Sequence, residues 1–155
     1  MGLFLAAVAA ASFLRLVPFE GADVAELCPV EILCLEQTAE GIRVTADGGL
    51  AASGGDLAQA LRHLEEAASG RLLLDTVDQV TLTGLTVTPA ALLECGLRPA
   101  TRVFRSPTVK DADALAAYLA RWEGGLTLGR WSESPTAVLP GLVACETGLR
   151  MEGES

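Results

Sequence analysis

The chain has 155 residues, of which half are apolar and 20% are charged. This length fits one compact domain, and the composition excludes an intrinsically disordered chain. Eleven lysines and arginines against twenty aspartates and glutamates give a net charge of −9, which argues against binding to a nucleic-acid backbone, because such binding needs clustered basic side chains.

The chain opens with an apolar segment, residues 1–18, in which Arg15 is the one charged residue. The apolar run is shorter than the roughly 20 residues that cross a bilayer. It has the length of the apolar region of a signal peptide, with small residues at Ala9 and Ala11 in Ala-x-Ala order. We therefore predict that residues 1–18 are a signal or a membrane anchor. The alternative is an N-terminal helix that packs on the core.

The first half of the folded region predicts two strands and a helix. Residues 29–37 are apolar on both faces, which is typical of a central strand, and residues 42–46 alternate between apolar and polar. We expect these two strands to pair as a hairpin. After a loop at 47–55 that is rich in Gly and Ala, Asp56 can cap a helix whose apolar residues recur at helical spacing until Gly70 ends it.

The second half continues with alternating strands and helices. Residues 75–84 are rich in β-branched side chains and predict a third strand. Thr88 followed by proline predicts the start of a short helix that ends near Gly96. A fourth strand is expected at 101–105, and Asp111 is expected to cap a third helix.

The order β-β-α-β-α-β-α plus an extended tail predicts an α+β fold. We expect a mixed sheet of about four to six strands packed with about three helices. Residues 19–134 form a single α/β domain in this interpretation. Residues 135–155 are an extended tail or an edge strand.

No residue pattern in the chain predicts a catalytic, cofactor-binding or metal site. His63 is the single histidine, and it lies off the apolar stripe of its helix, so we expect it to be solvated. The glycine pairs at 48–49 and 54–55 lack the other residues of a phosphate-binding loop. The four cysteines form no C-x-x-C pair, which argues against a zinc site, and their apolar surroundings suggest buried free thiols: Cys28, Cys34, Cys95 and Cys145.

Trp131 is the candidate interaction residue. It lies in a stretch that contains Gly and Ser, after the third predicted helix, whereas Trp122 belongs to that helix and is expected in the core. An aromatic side chain outside the regular elements is suited to a contact with another molecule. The sequence therefore places a possible interaction surface at Trp131.

Several short segments follow one another in an order that matches a known arrangement. They are residues 26–27, 41–45, 55–61, 69–74, 78–84, 138–140 and 148–153. In this order they resemble the N-terminal domain of the Ger(x)C family, the C-subunit lipoproteins of spore germinant receptors. In that family a lipidated cysteine directly follows the signal segment. Here the first cysteine, Cys28, comes only after a polar joint, and the later domains of the family are missing, so we expect a shortened relative without the lipid.

The resemblance implies a non-enzymatic, membrane-associated extracytoplasmic domain that acts through protein–protein contacts. It implies no cofactor, and it implies other membrane proteins as partners, germinant-receptor subunits among them. The residues alone leave an alternative open, namely a small cytosolic α/β protein that binds a ligand or is an enzyme of unknown substrate.

Overall fold

A computed structural model describes residues 27–109, 111–145 and 148–152, with the side chain of Cys145 left out. The predicted signal or anchor segment, residues 1–18, lies outside the described residues. Among the helices of the described part, none has the length and apolar character that a bilayer crossing requires.

The described part contains ten strands and four α-helices. The strands are β1 (Leu27–Pro29), β2 (Ile32–Thr38), β3 (Gly41–Ala46), β4 (Ala51–Gly54), β5 (Arg71–Leu73), β6 (Gln79–Thr83), β7 (Arg102–Arg105), β8 (Leu126–Thr127), β9 (Leu142–Cys145) and β10 (Gly148–Met151). The helices are α1 (Leu57–Ala67), α2 (Pro89–Glu94), α3 (Ala112–Ala120) and α4 (Leu128–Glu133). The predicted α+β class is confirmed.

Six of the strands form one mixed sheet in the order β4-β3-β2-β6-β7-β8. Strands β2, β6 and β7 are parallel to one another, and β3, β4 and β8 are each antiparallel to the neighbour that they join. The predicted hairpin of β2 and β3 is confirmed, with Leu35 opposite Val44. Its turn contains Gly41 at φ 137°, where an added Cβ would collide with the carbonyl oxygen of Gly54.

Helices cover both faces of this sheet, because β2 is apolar on both sides. Leu33 and Leu35 point to the face that carries the larger apolar cluster, which also holds the fully buried leucines of α1, α2 and α4, namely Leu64, Leu92 and Leu128. Ile32 points to the opposite face, where α3 supplies Leu115 and Leu119. The sheet is therefore the middle layer of the fold.

The three helix caps that the sequence predicts are present in the structure. The carboxylates of Asp56 and Asp111 accept hydrogen bonds from the backbone N–H groups three residues later, at 2.8 Å and 3.0 Å. The hydroxyl of Thr88 accepts one in the same way at 3.2 Å. Each cap satisfies an N–H group that has no partner inside its own helix.

Two parts of the chain differ from the sequence-based prediction. The predicted loop at 47–55 contains β4, which forms because β3 offers it an antiparallel partner although Ala, Ser and Gly have little strand preference of their own. The region after Gly125 contains the short helix α4 and the hairpin of β9 and β10. Leu142 and Met151 of that hairpin are buried against the α3 face, so the tail packs on the domain.

We expect Leu64→Ala to lower the free energy of unfolding by about 2–5 kcal/mol, because it empties a fully buried site beneath the sheet. Chemical denaturation followed by circular dichroism measures this loss. The matched control is Glu66→Ala on the exposed side of the same helix, which should change stability by less than about 0.5 kcal/mol. Equal effects of the two substitutions would contradict the orientation of α1.

Candidate functional site

The carboxyl ends of the parallel strands β6 and β7 border a surface cleft of about 430 Å³. Ligands of open sheets with parallel strands bind outside the carboxyl ends of those strands, and ligand pockets measure about 300–1,000 Å³. We call this site the Trp131 cleft. Its lining consists of Leu82, Gly84, Leu85, Thr86, Val87, Arg105, Ser106, Trp131 and Leu139.

Backbone hydrogen bonds hold Trp131 at the cleft through the first turn of α4. The N–H group of Leu128 donates to the carbonyl of Thr101 at 2.8 Å, and the N–H group of Gly129 donates to that of Pro99 at 2.9 Å. A Cβ at position 129 would approach Pro99 to 3.3 Å, so glycine lets the helix lie this close. The start of α4 is thereby fixed to the loop that precedes β7.

Trp131 itself is a buried residue with 7% of its surface exposed. Its indole nitrogen donates to the carbonyl of Pro135 at 3.3 Å. Trp131 is also one of the residues that line the cleft. A contact at Trp131 stays a prediction. Because the side chain is buried and does not project from the surface, such a contact would have to form at the cleft.

Two polar side chains line the same cleft. Arg105 donates from Nε to the carbonyl of Leu139 at 3.2 Å, and its Nη2 lies 3.4 Å from a carboxylate oxygen of Glu152. The side chain of Arg105 is 55% exposed, so its remaining N–H groups face solvent or a ligand. Ser106 is 8% exposed, and its hydroxyl has no hydrogen-bond partner in the part of the chain that the structure describes.

A buried hydroxyl without a partner costs free energy, because the group has lost water and gained nothing in exchange. The Ser106 oxygen is itself buried, and Ser106 lies two residues after Phe104, whose side chain faces α3, so this hydroxyl is not available to an occupant of the cleft. The cleft therefore combines apolar walls with one exposed cationic residue, Arg105.

His63 lies away from this cleft and has a structural partner. It is half-buried, and its Nδ1 is 2.7 Å from the carbonyl oxygen of Ser53 on β4. A carbonyl oxygen can only accept, so Nδ1 carries the hydrogen. The expected solvated position is compatible with this half-buried side chain, and the added partner arises because α1 packs along the edge strand β4 that the sequence did not predict.

The described cysteines are free thiols, namely Cys28, Cys34 and Cys95. Burial raises the pKa of the Cys34 thiol; the Thr81 hydroxyl lowers it in part, and the Asp47 carboxylate raises it further. Burial also raises the pKa of Cys95, and the charge of Glu94 adds to that effect. Both shifts favour the neutral thiol, which is a poor nucleophile.

Two acidic residues, Asp47 and Asp78, hold local structure. Asp47 accepts hydrogen bonds from the N–H groups of Glu31 and Ile32 at 2.9 Å and 3.1 Å, where β2 begins. Asp78 forms an ion pair with Arg98 at 2.7 Å. Within the described ranges, no three residues of the types His, Cys, Asp and Glu come together in a way that could hold a metal ion.

Two other grooves have larger volumes than the Trp131 cleft. One of about 630 Å³ lies between α1, β5 and the end of α2, and charged side chains of both signs line it. The other, of about 580 Å³, lies between α3 and β10. Neither of them lies at the carboxyl ends of the parallel strands β6 and β7, where the Trp131 cleft lies and where ligands of such sheets bind. We therefore take the smaller Trp131 cleft as the candidate site.

The sequence did not single out Arg105 and Ser106. Their place at the site depends on the parallel pairing of β6 with β7, which brings the residues after Thr83 beside those after Phe104. A signal was available, because each of these predicted strands ends in turn-forming residues and parallel strands end at one edge of a sheet. Whether two strands run parallel depends on the chain that links them, so it cannot be predicted from either strand segment alone.

The comparisons with protein-family models, curated proteins and solved structures give no match to this chain. The Ger(x)C resemblance therefore remains a hypothesis that rests on the segments quoted above.

We expect Cys34 to react with iodoacetamide at pH 8 more slowly than Cys28 or Cys95 in the folded protein. Cys34 is buried and its pKa is raised, so both access and thiolate fraction are low. Mass spectrometry of peptides taken at timed intervals gives the three rates. In denaturant the three rates should converge, and a folded-state rate of Cys34 equal to that of Cys28 would contradict the burial of β2.

Proposed function

We propose that this chain is a non-enzymatic, membrane-associated extracytoplasmic domain that acts through contacts with other membrane proteins. Three observations support the proposal: the apolar segment at residues 1–18, the Ger(x)C resemblance and one feature of the surface. That feature is Val138, whose side chain is 81% exposed. The partners that the resemblance suggests are germinant-receptor subunits.

The segment that carries Val138 is held on both sides. On one side, the N–H group of Ala137 donates to the carbonyl of Ser134 at 2.9 Å. On the other side, Arg105 donates from Nε to the carbonyl of Leu139 and from its backbone N–H to that of Pro140 at 2.8 Å. An apolar side chain fixed in this way loses little conformational freedom when a partner covers it.

Val138 also adjoins other apolar surface. Single exposed apolar residues are common and do not by themselves indicate a binding site. Here the next residue, Leu139, lines the Trp131 cleft together with Leu85 and Val87, both of which are half-buried. Val138 and the apolar walls of the cleft therefore lie side by side as apolar surface that a partner can cover.

The histidine and two of the described cysteines lack the surroundings of catalytic groups. His63 is bound to a backbone carbonyl and not to a nucleophile. The thiols of Cys34 and Cys95 have raised pKa values, opposite to the shift of an activated cysteine. These observations support a binding role over a catalytic one.

The test compares Val138→Glu with Ala117→Glu in the full-length chain. Ala117 is an exposed residue of α3, so the control adds the same charge at a place that the proposal does not use. Each tagged variant is crosslinked in sporulating cells, and captured germinant-receptor subunits are quantified by mass spectrometry. We expect the unmodified chain and Ala117→Glu to capture a subunit and Val138→Glu to capture at least about tenfold less, because the substitution places an unpaired charge in an apolar contact.

Two outcomes would overturn the proposal. One is recovery of the full-length chain in the soluble cytoplasmic fraction, which contradicts membrane association. The other is equal capture by Val138→Glu and Ala117→Glu, which contradicts the assigned surface. A cytosolic ligand-binding protein is the second candidate function, and the position of the Trp131 cleft at the carboxyl ends of parallel strands is the observation that favours it.

A further inference from the structure

We infer that the groove between α3 and β10 binds an extended, basic segment of a partner protein, which adds to β10 as a further strand. We call this site the β10 groove. Leu115 and Tyr118 belong to its α3 wall, and Leu149 belongs to its β10 wall. The inference goes beyond the proposed contact at Val138 and does not depend on it, because Val138 is not a lining residue of this groove.

One edge of β10 carries backbone hydrogen-bonding groups that β9 does not use. The N–H group of Glu152 donates to the carbonyl of Gly141 at 2.7 Å, and Met151 lies opposite Leu142. Hydrogen-bonded and non-hydrogen-bonded positions alternate in an antiparallel pair, so Met151 and Leu149 turn their backbone groups away from β9. No hydrogen bond of the described part engages the N–H group or the carbonyl of Leu149. Leu149 thus leaves one donor and one acceptor for another strand.

The same edge of β10 faces the groove. The N–H group of Met151 donates to the hydroxyl oxygen of Tyr118 at 2.9 Å, and Tyr118 lines the groove from α3. Leu149 precedes Met151 by two residues, so its backbone groups point to the same side of the strand. Leu149 also lines the groove. A segment laid in the groove would therefore meet a free N–H group and a free carbonyl, which are the groups that strand addition uses.

The groove also determines which side chains the added strand needs. The side chains of Leu149 and Met151 belong to the apolar packing of the α3 face. Directly opposed residues of a strand pair place their side chains on the same face, and successive residues alternate between faces. The residue opposite Leu149 therefore points toward the α3 wall, where Ala114 and Leu115 lie. That residue and those two positions away should be apolar, and β10 offers them an edge of four residues.

The net charge determines which kind of partner carries this segment. The whole chain, Lys110 included, has a net charge of −9. In the described part, the groove lining holds one charged side chain, the exposed carboxylate of Asp111. Two copies of this chain would repel each other, whereas a positively charged segment would be attracted. The occupant is therefore a segment of another protein in which apolar and basic residues alternate, and not a second copy.

The test measures binding of a labelled peptide, acetyl-Lys-Val-Lys-Val-Lys-Val-Lys-amide, to the full-length chain by fluorescence anisotropy. One control peptide has the same composition in the order Val-Lys-Lys-Val-Lys-Lys-Val, so no four consecutive residues place two valines on one face. The other control is the alternating peptide with N-methylated valines, which cannot donate to the carbonyl of Leu149. We expect saturable binding of the alternating peptide and binding at least about tenfold weaker for each control.

A matched pair of substitutions on α3 tests the groove itself. Ala114→Arg puts a long cation into the lining, whereas Ala117→Arg adds the same charge at an exposed position of α3 outside the lining. We expect Ala114→Arg to weaken binding of the alternating peptide at least about tenfold and Ala117→Arg to change it by less than about threefold. Circular dichroism checks that both variants are folded. Val138→Glu should leave the binding unchanged, which separates this site from the proposed contact.

Amide hydrogen exchange followed by NMR reports on the expected hydrogen bond without any substitution. In the free chain, the amide of Leu149 should exchange faster than that of Glu152, which is bonded to Gly141. The alternating peptide at saturating concentration should slow the exchange of the Leu149 amide at least about tenfold.

Three results would overturn the inference: equal binding of the alternating peptide and its controls, equal effects of Ala114→Arg and Ala117→Arg, or unchanged exchange at Leu149. A fourth is a dimer of the chain in sedimentation that Ala114→Arg disrupts, because it would give the groove to a second copy. None of these results bears on the Val138 contact, which has its own experiment.

Discussion

Strand β2 is buried on both faces, and the arrangement of the other elements follows from that burial. Ile32, Leu33 and Leu35 are each at most 1% exposed, with Leu33 and Leu35 facing one layer of helices and Ile32 facing the other. A strand of this kind has to lie in the middle of a sheet and needs a partner on each side. Strand β3 takes one side as a hairpin, and β6 takes the other after a long parallel connection.

The parallel connections determine where the candidate site lies. Because β2, β6 and β7 run in the same direction, the segments that leave β6 and β7 emerge at one edge of the sheet. Gly84 to Val87 follow β6 there, and Ser106 follows β7, so residues about twenty positions apart line one cleft. Helix α4 then closes the cleft with Trp131, because its first turn is hydrogen-bonded to the residues just before β7. The site is therefore a product of the topology.

Local features of the sequence were predictable, and features that depend on distant pairing were not. The caps at Asp56, Thr88 and Asp111 each act within three residues, so the sequence shows them directly. Strand β4 has an unpromising composition and exists through its pairing with β3. The role of His63 in turn depends on β4, because its partner is a carbonyl of that strand.

The same distinction applies to the candidate site. Trp131 was singled out as an aromatic residue outside the predicted elements, but its burial could not be foreseen without α4. Arg105 appeared as the end of a short strand, and nothing in its neighbours indicates that it meets Leu139 and Glu152 further along the chain. Pairings over such separations are set by the packing of the whole sheet, which a single sequence records only indirectly.

The two faces of the sheet contribute unequally to stability, and this bears on how the Trp131 cleft is held. The α3 face carries the smaller apolar cluster, and it also carries Gln79, which lies beside Ile32 and has a buried carbonyl oxygen without a partner in the described part. Such a group costs about 1–3 kcal/mol. Local opening is therefore expected first on the α3 face, which includes the β9–β10 hairpin.

Glu152 lies at the end of that hairpin, and its N–H group donates to the carbonyl of Gly141 at 2.7 Å. The carboxylate that pairs with Arg105 thus belongs to the less stable face, while Arg105 is the last residue of β7 in the main sheet. Opening of the hairpin would break this pair and leave the hydrogen bond from Arg105 to the carbonyl of Leu139 in place. Since Arg105 and Leu139 both line the Trp131 cleft, this wall of the cleft does not depend on the hairpin.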